Sequence, residues 1–269
     1  MTSLAHIEVA GRALDLEYTW VGVPNAPVVV FLHEGLGSLA MWKDYPARLC
    51  AALRARGLVY SRPGYGASTP RPRGEKWPVD FMHREARHVL PAFLEALAVD
   101  RPWLFGHSDG GSIALLHAAA FPERVTGVIA VAPHLFVEDV SVRNIEAARV
   151  AYVSGDLRGR LSRHHADPDS AFFGWNDIWL DPAFRAWNIE AEVEAIRCPV
   201  LAVQGEGDEY GTMAQIDRLA DRLPQARLVK LADCGHSPHR DQPERLTAAV
   251  AEFYERSPGM PHGAPALPR

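Results

Sequence analysis

Short apolar runs alternate with stretches of helical periodicity along most of this 269-residue chain, and this alternation constrains the fold more than any other feature. Each run has the length of a buried strand, and the stretches between runs are long enough to connect parallel neighbours. The predicted strands span 14–21, 28–32, 58–60, 103–105, 125–131, 200–203 and 226–231. This order predicts an α/β fold with a mostly parallel sheet.

One stretch between the runs and one after the last run, near the C-terminus, carry the apolar stripe of an amphipathic helix. The stripes consist of Ala86, Leu90, Phe93 and Leu97, and of Leu246, Val250 and Phe253. Because apolar residues recur every three or four positions, we expect both helices to cover a face of the sheet.

One region interrupts the alternation. Residues 134–195 contain only helix-compatible stretches, with an aromatic cluster between Phe172 and Trp187, and they hold eleven acidic and six basic residues. We therefore predict an α/β core of 1–133 and 196–256 with a helical insertion at 134–195. The prolines and glycines of 257–269 predict a disordered tail.

Composition excludes several classes of protein. Apolar residues make up 48% and charged residues 23%, as in globular proteins, and the formal net charge is −5 without a basic cluster, so nucleic acid is not an expected partner. Since neither a leader nor a membrane-spanning run is evident, we expect a cytoplasmic protein with no membrane partner. Three cysteines without C-x-x-C spacing are expected to be reduced core thiols.

The strongest local signal is the segment GHSDGG at 106–111, which matches G-x-S-x-G and lies between a predicted strand and a predicted helix. A serine on so tight a turn needs glycines two positions before and after it, because Cβ atoms there would collide with the crossing backbone. Ser108 is therefore the candidate nucleophile.

A serine hydroxyl becomes nucleophilic when a base removes its proton. His236 follows the last predicted strand, in the turn-rich segment DCGHSP, and is the candidate base. The acid that orients it is expected after an earlier strand, where 204–209 reads QGEGDE; Asp208 is the first choice, with Glu206 and Glu209 as alternatives.

Five segments together, HEGLGS (33–38), SRPGYGAS (61–68), GHSDGG (106–111), GEGDEYG (205–211) and CGHSPH (234–239), resemble the α/β-hydrolase superfamily over roughly residues 6–256. The resemblance implies an eight-stranded, mostly parallel sheet flanked by helices, a helical lid after the sixth strand, and catalysis without a cofactor. It places Ser108, Asp208 and His236 on the triad positions.

The resemblance also implies an oxyanion hole, for which we predict the backbone amides of Gly35 and Asp109. Many relatives have His-Gly where this chain has His33-Glu34-Gly35. Glu34 either points into the pocket, where it would disfavour anionic substrates, or faces outward or pairs with an arginine. His33 is expected to shape the turn through hydrogen bonds, and His107 to pack behind the serine.

Three further residues are candidate substrate contacts. His134 lies where the chain leaves the sheet, so it either borders the pocket or is a surface histidine. Trp175 and Trp179 belong to the aromatic cluster, some of whose rings should face the cleft. The pair His164 and His165 does not have metal-ligand spacing, so we expect a solvated loop there and no metal site.

These observations predict a serine hydrolase that cleaves a small or medium, neutral carboxylic ester through an acyl-enzyme. The alternatives are the same triad acting on a lactone, thioester or C–C bond, and a ligand receptor with little turnover. A C–C hydrolase would need a cationic or amide partner near the elbow, and no arginine is evident there in the sequence.

Overall fold

The computed structural model describes residues 2–257, which form an eight-stranded sheet flanked by helices. Residues 258–269 of the predicted tail lie outside this range. Ser257, which the prediction also assigned to the tail, is buried, and its hydroxyl donates a hydrogen bond to the carbonyl oxygen of Phe253 at 2.8 Å.

The strands confirm the predicted sheet. They are β1 (Ser3–Val9), β2 (Arg12–Gly22), β3 (Val28–Leu32), β4 (Arg56–Tyr60), β5 (Trp103–His107), β6 (Gly127–Val131), β7 (Val200–Gly205) and β8 (Ala226–Leu231). They lie in the order β1-β2-β4-β3-β5-β6-β7-β8; β1 and β2 pair antiparallel, β2 and β4 also pair antiparallel, and all other pairs are parallel. The carboxyl ends of the parallel strands therefore meet at one edge of the sheet.

Residues 2–257 contain ten α-helices, of which the last two follow β8. They are α1 (Tyr45–Leu53), α2 (Phe81–Arg84), α3 (Leu90–Ala96), α4 (Asp109–Ala120), α5 (Asp139–Ser154), α6 (Leu157–Leu161), α7 (Pro168–Trp179), α8 (Ala214–Arg222), α9 (Pro238–Asp241) and α10 (Pro243–Arg256). A π-helical turn, Glu85–Val89, joins α2 to α3, and 3-10 turns occupy Leu39–Trp42, Pro122–Arg124, Pro182–Ala186 and Glu192–Ala195.

Side chains alternate between two cores on opposite faces of the sheet. Val29 and Phe31 of β3 pack on the side of α1 and α10, where Leu246 and Val250 are buried. Val30 and Leu32 pack on the other side, with buried residues of the α2–α3 segment and α4. The buried strands place apolar side chains on both faces, and this explains why they read as continuous apolar runs.

The chain between β6 and β7, residues 132–199, is called here the inserted segment. It contains α5, α6, α7 and two 3-10 turns, and its one β-contact is an isolated bridge between Phe136 and Asn188. No helix within residues 2–257 is both long and apolar enough to cross a membrane.

Candidate active site

Ser108 stands on a strained turn between β5 and α4. Its φ is 53° and its ψ is −120°, a region that non-glycine residues rarely adopt. A Cβ at Gly106 would lie 2.2 Å from the carbonyl oxygen of Gly110, and one at Gly110 would lie 2.1 Å from that of Leu32. The glycines are thus required by the crossing backbone, and the turn leaves Ser108 at the carboxyl edge of the sheet.

Asp208 and His236 are joined by a hydrogen bond of 2.8 Å from His236 Nδ1 to Asp208 Oδ1. The same oxygen accepts the backbone N–H of Tyr210 at 2.8 Å, and Oδ2 accepts Gln204 Nε2 at 3.2 Å. These donors hold the carboxylate in place. Because Nδ1 of His236 donates to Asp208, its Nε2 is left as the acceptor nitrogen.

Two further residues, whose role here was not predicted from the sequence, hold the loop that carries His236. Glu209 accepts the His236 backbone N–H at 3.1 Å, so this alternative acid positions the loop instead of the imidazole. Nε2 of His107 donates to the His236 carbonyl at 2.7 Å. His107 therefore does more than pack behind Ser108.

Two imidazoles surround Ser108. Its Oγ lies 3.5 Å from Nε2 of His134, while the rings of His134 and His236 are 6.0 Å apart. Within residues 2–257, neither Oγ of Ser108 nor any other protein atom hydrogen-bonds to Nε2 of His236. His134 is only 3% exposed and packs edge-on against Trp179, so it borders the site and is not a surface histidine.

The two imidazoles differ in basicity. Burial opposes protonation of both, but hydrogen bonding and charge from Asp208 raise the pKa of His236 above its ordinary value. Burial and the neighbouring His236 lower the pKa of His134 to about 3. His134 is therefore neutral near pH 7 and a very weak base, whereas His236 has the basicity that proton transfer from a hydroxyl requires.

The predicted oxyanion donors lie on either side of the elbow. Asp109 is the first residue of α4, where helix geometry leaves the backbone N–H without an intrahelical partner. Gly35 follows β3, and no residue within 2–257 accepts its N–H. A Cβ at Gly35 would lie 2.2 Å from Trp175, so Trp175 covers this turn closely.

Trp179 of the inserted segment contacts the elbow directly. Its indole Nε1 donates to Asp109 Oδ1 at 3.2 Å, in a region where both side chains are about 1% exposed. The structure thus brings Trp175 and Trp179 over the predicted oxyanion donors. Phe172 instead stacks on Tyr152 within the inserted segment, with ring centres 3.7 Å apart.

The carboxylate of Glu34 contacts one arginine and one imidazole. Its Oε1 lies 3.2 Å from Arg240 and its Oε2 lies 3.5 Å from Nδ1 of His107. These contacts hold the pKa of Glu34 well below its usual range despite burial. The pairing with an arginine agrees with the second interpretation of Glu34, in which the carboxylate does not face the pocket.

His33 shapes the turn after β3, as we expected. Its Nδ1 donates to the Glu34 carbonyl at 2.7 Å, and its Nε2 accepts the backbone N–H of Arg62 at 2.9 Å. Both nitrogens of a neutral ring are used, and burial lowers the pKa of His33 well below its ordinary value.

Arg62 contradicts the expectation that no arginine lies near the elbow. Its side chain is fully buried, and Nη2 lies 3.8 Å from Oδ2 of Asp109 and donates to the Glu34 carbonyl at 3.1 Å. Its place directly after β4, at the edge of the sheet that carries Ser108, was the available signal. The place of Arg62 could thus be predicted from the sequence, whereas the reach of its guanidinium to Asp109 could not.

His165 contradicts the expectation of a solvated loop. It is 4% exposed; its Nδ1 accepts the Gly66 N–H at 3.0 Å and its Nε2 donates to the Leu36 carbonyl at 3.1 Å. The imidazole therefore ties the inserted segment to two loops of the core. Across 2–257 no set of three or more His, Cys, Asp or Glu side chains is arranged to hold a metal ion.

Comparison with curated proteins finds relatives of similar length. The chain is 28% identical to the pimeloyl-[acyl-carrier protein] methyl ester esterase of Aromatoleum aromaticum, covering 85% of this chain and 98% of that protein. It is 24% identical to the serine hydrolase BPHL of Mus musculus, covering 94% and 88%. It is 27% identical to a putative carbamate hydrolase RutD of Pseudomonas savastanoi, covering 85% and 94%.

Solved structures show the same fold at lower identity. An esterase from Thermogutta terrifontis superposes with a TM-score of 0.70 at 21% identity, covering 93% of this chain and 97% of that one. The enol-lactonase of Burkholderia xenovorans gives a TM-score of 0.69 at 21% identity, covering 92% and 98%. The model of the alpha/beta hydrolase family matches residues 29–250, from β3 through most of α10, and with the strand order and the elbow described above this means that the chain belongs to the alpha/beta hydrolase family.

Proposed function

We propose that this hydrolase cleaves a small or medium, uncharged carboxylic ester through an acyl-enzyme intermediate, with Ser108, His236 and Asp208 as its catalytic triad. The observation that carries the proposal is the 2.8 Å hydrogen bond between Asp208 and His236 beside a serine on a strained, glycine-flanked turn. The bond fixes the imidazole tautomer that a general base needs.

In the first step, Oγ of Ser108 attacks the ester carbonyl carbon while Nε2 of His236 accepts the hydroxyl proton. His236 must approach Oγ for this transfer, and its Nε2 is free to accept. The backbone amides of Gly35 and Asp109 stabilise the oxyanion. The C–O bond then breaks, and the leaving alcohol takes the proton from His236.

In the second step, a water molecule gives its proton to His236 and attacks the acyl carbon. The bond to Ser108 Oγ breaks, and the acid leaves as Ser108 regains its proton. No cofactor is required by this route. We further propose that the inserted segment is the lid of the site, since Trp175 and Trp179 cover the oxyanion donors.

A fluorophosphonate probe and p-nitrophenyl butyrate test this function. The wild-type protein should be labelled and should release p-nitrophenol, whereas Ser108→Ala should not be labelled and should lose about 10⁴-fold or more in kcat. Ser154→Ala, which alters an exposed serine at the end of α5, is the matched control and should retain both properties. Near-normal turnover by Ser108→Ala would refute the assignment.

A second candidate function is favoured by one observation, the buried Arg62 beside Asp109. A C–C hydrolase of the same fold would need such a cation for a substrate carboxylate. A panel of esters, lactones, thioesters and a vinylogous diketone distinguishes the two functions.

Location in the cytoplasm stays a prediction from the sequence.

A further inference from the structure

A cluster of charged side chains, two of them buried and one half-buried, lies beside the elbow and has no part in the proposed triad. We call Arg62, Asp109 and Glu85 the Arg62 cluster. Nη2 of Arg62 lies 3.8 Å from Oδ2 of Asp109, and the guanidinium carbon lies 4.7 Å from the ring centre of Tyr65. Burial raises the pKa of Glu85, while the nearby charges of Arg62 and Asp109 lower and raise it, respectively.

Hydrogen bonding within the cluster is incomplete. Nη2 of Arg62 donates to the Glu34 carbonyl, but its Nε and Nη1 are buried without a hydrogen-bond partner among residues 2–257. Oδ2 of Asp109 and Oε2 of Glu85 are also buried without one. Leaving such groups unpaired is unfavourable, and more so for charged groups, so this arrangement indicates a polar occupant.

The position of the cluster relates it to the reacting atoms. Asp109 follows Ser108 and provides a proposed oxyanion amide, and Trp179 covers it. Glu85 begins the π-helical turn between α2 and α3, a distortion that often marks functional sites. Glu85 also lines a pocket of about 250 Å³, together with Pro63, Trp77 and Phe81, so this member of the cluster borders open space, while Arg62 and Asp109 lie behind it and do not line the pocket.

The charges define the chemistry of the occupant. Arg62 is cationic, while burial raises the pKa of Asp109 to about 6 and that of Glu85 to about 7. Near pH 7 the carboxyl groups therefore offset or exceed the guanidinium charge. The cluster offers unpaired N–H donors and unpaired oxygen acceptors together, which suits an uncharged group that both accepts and donates hydrogen bonds.

We propose that the Arg62 cluster binds an uncharged polar substituent, a hydroxyl or a primary carboxamide, on the acyl part of the substrate. This inference rests on the proposed ester hydrolysis and narrows its substrate class. Arg62 is then a specificity-determining residue. A water cluster and an anion are the competing occupants, and the test below separates them from the proposed group.

Matched esters provide the test. The first series places three groups at the same position: a carboxamide in methyl succinamate, a carboxylate in monomethyl succinate and an isopropyl group in methyl 4-methylpentanoate. The second series compares methyl 3-hydroxybutyrate, which carries a hydroxyl, with methyl 3-methylbutyrate, which carries a methyl group there. Wild-type kcat/KM should favour at least one uncharged polar ester over its alkyl match by roughly tenfold, the effect of one well-made hydrogen bond. Arg62→Met should reduce this ratio to about threefold or less.

One control variant and one further test variant accompany that result. Arg87→Met replaces an exposed arginine on the same π-helical turn and should leave the ratio unchanged. Glu85→Gln keeps the size of the side chain and should also change the ratio. This second variant therefore provides the test if Arg62→Met does not fold. A wild-type protein without preference for polar esters would mean that only water occupies the cluster, and a preference for monomethyl succinate would mean an anion site; either result overturns the proposal.

A binding measurement separates this inference from the proposed function. In the Ser108→Ala background, methyl succinamate or methyl 3-hydroxybutyrate should raise Tm, and adding Arg62→Met should abolish the rise. Absence of any rise with either ester contradicts the inference even if the wild-type enzyme hydrolyses esters. Unlabelled wild-type protein without esterase activity contradicts the function even if the rise is seen.

Discussion

At the scale of single residues, the site is decided by which of two imidazoles serves Ser108. His134 lies within 3.5 Å of the hydroxyl, but its low pKa makes it a poor acceptor of a proton. The ring of His236 lies 6.0 Å from that of His134, and His236 has the carboxylate partner. Proximity in the structure and basicity therefore point to different side chains, and the proposed mechanism depends on basicity.

A pair of histidine variants tests this choice. His134→Gln keeps a polar side chain beside Ser108 and should change kcat by less than about tenfold, because the residue borders the site without accepting the proton. His236→Gln should lose about 10⁴-fold in kcat, as expected for removal of a triad base. The measurement is steady-state hydrolysis of p-nitrophenyl butyrate. Equal losses in the two variants would show that His134 participates in proton transfer.

The pH profile gives a second test at this scale. His236 must be neutral to act, and its pKa is raised by Asp208, so kcat/KM should fall as pH drops below a pKa that lies above about 6.5, the free-imidazole value. Asp208→Asn removes the charge that raises this pKa. The residual activity of that variant should therefore persist to lower pH than wild-type activity does, although kcat falls about 10⁴-fold. If the pH dependence of kcat/KM between pH 5 and 9 were the same in Asp208→Asn as in the wild-type protein, this would contradict the proposed pairing of Asp208 with His236.

Sequence order predicted which residues lie at the carboxyl edge of the sheet, because each of Ser108, Asp208 and His236 follows a strand. It could not predict how far long side chains reach. Arg62 and His165 were missed for this reason, since their roles depend on where a guanidinium or imidazole ends inside the folded chain.

At the scale of elements, the elbow joins β5 to α4 through backbone contacts that only glycine permits. Gly110→Ala would place a methyl group 2.1 Å from the Leu32 carbonyl oxygen, which belongs to a buried strand and cannot move freely. We expect a loss of about 3 kcal/mol or more in the free energy of unfolding.

The matched control is Gly159→Ala in α6, where a Cβ would meet nothing within 4 Å. Because alanine favours helix over glycine, this variant should gain about 0.5–1 kcal/mol. Urea unfolding followed by circular dichroism measures both. If Gly110→Ala were as stable as the wild-type protein, the steric account of the elbow would be wrong.

The elements themselves were predictable where burial gave a clear pattern. Strands buried on both faces, such as β3, were located from continuous apolar runs. β1 was not, because it is an edge strand in which Ala5 and Ile7 alone are buried among exposed polar neighbours. The π-helical turn was also missed, since its apolar residues Ala86 and Val89, with Leu90 directly after it, fit an ordinary α-helix equally well.

At the scale of the whole molecule, buried histidines link stability to pH. Burial lowers the pKa of five of them, to about 4 for His117 and about 3 for His134; the others are His33, His165 and His239. An unfolded histidine binds a proton below about pH 6.5, so the unfolded chain binds more protons than the folded one as pH falls from there towards 4. These histidines therefore destabilise the fold progressively in that range.

The raised pKa values of Asp109, Glu85 and His236 act in the opposite direction between about pH 4 and 7, but they are fewer. Stability should therefore fall as pH decreases from 7 to 5. His117→Gln removes one contributor and should reduce that loss by about 2 kcal/mol. Urea unfolding at pH 7 and at pH 5 measures this loss of stability, and His88→Gln, which alters an exposed histidine, is the control. An equal loss in His117→Gln and wild type would exclude this contribution.

The hydrogen bond from Trp179 to Asp109 has a consequence for how the molecule works as a unit. It joins the inserted segment to Asp109, the residue next to Ser108. Lifting Trp179 away breaks this bond and uncovers a buried carboxyl group in the same movement. If the inserted segment opens as the proposed lid, admission of a reactant and reorganisation around Asp109 occur in one movement, and we expect the rate of that opening to be an upper limit on kcat.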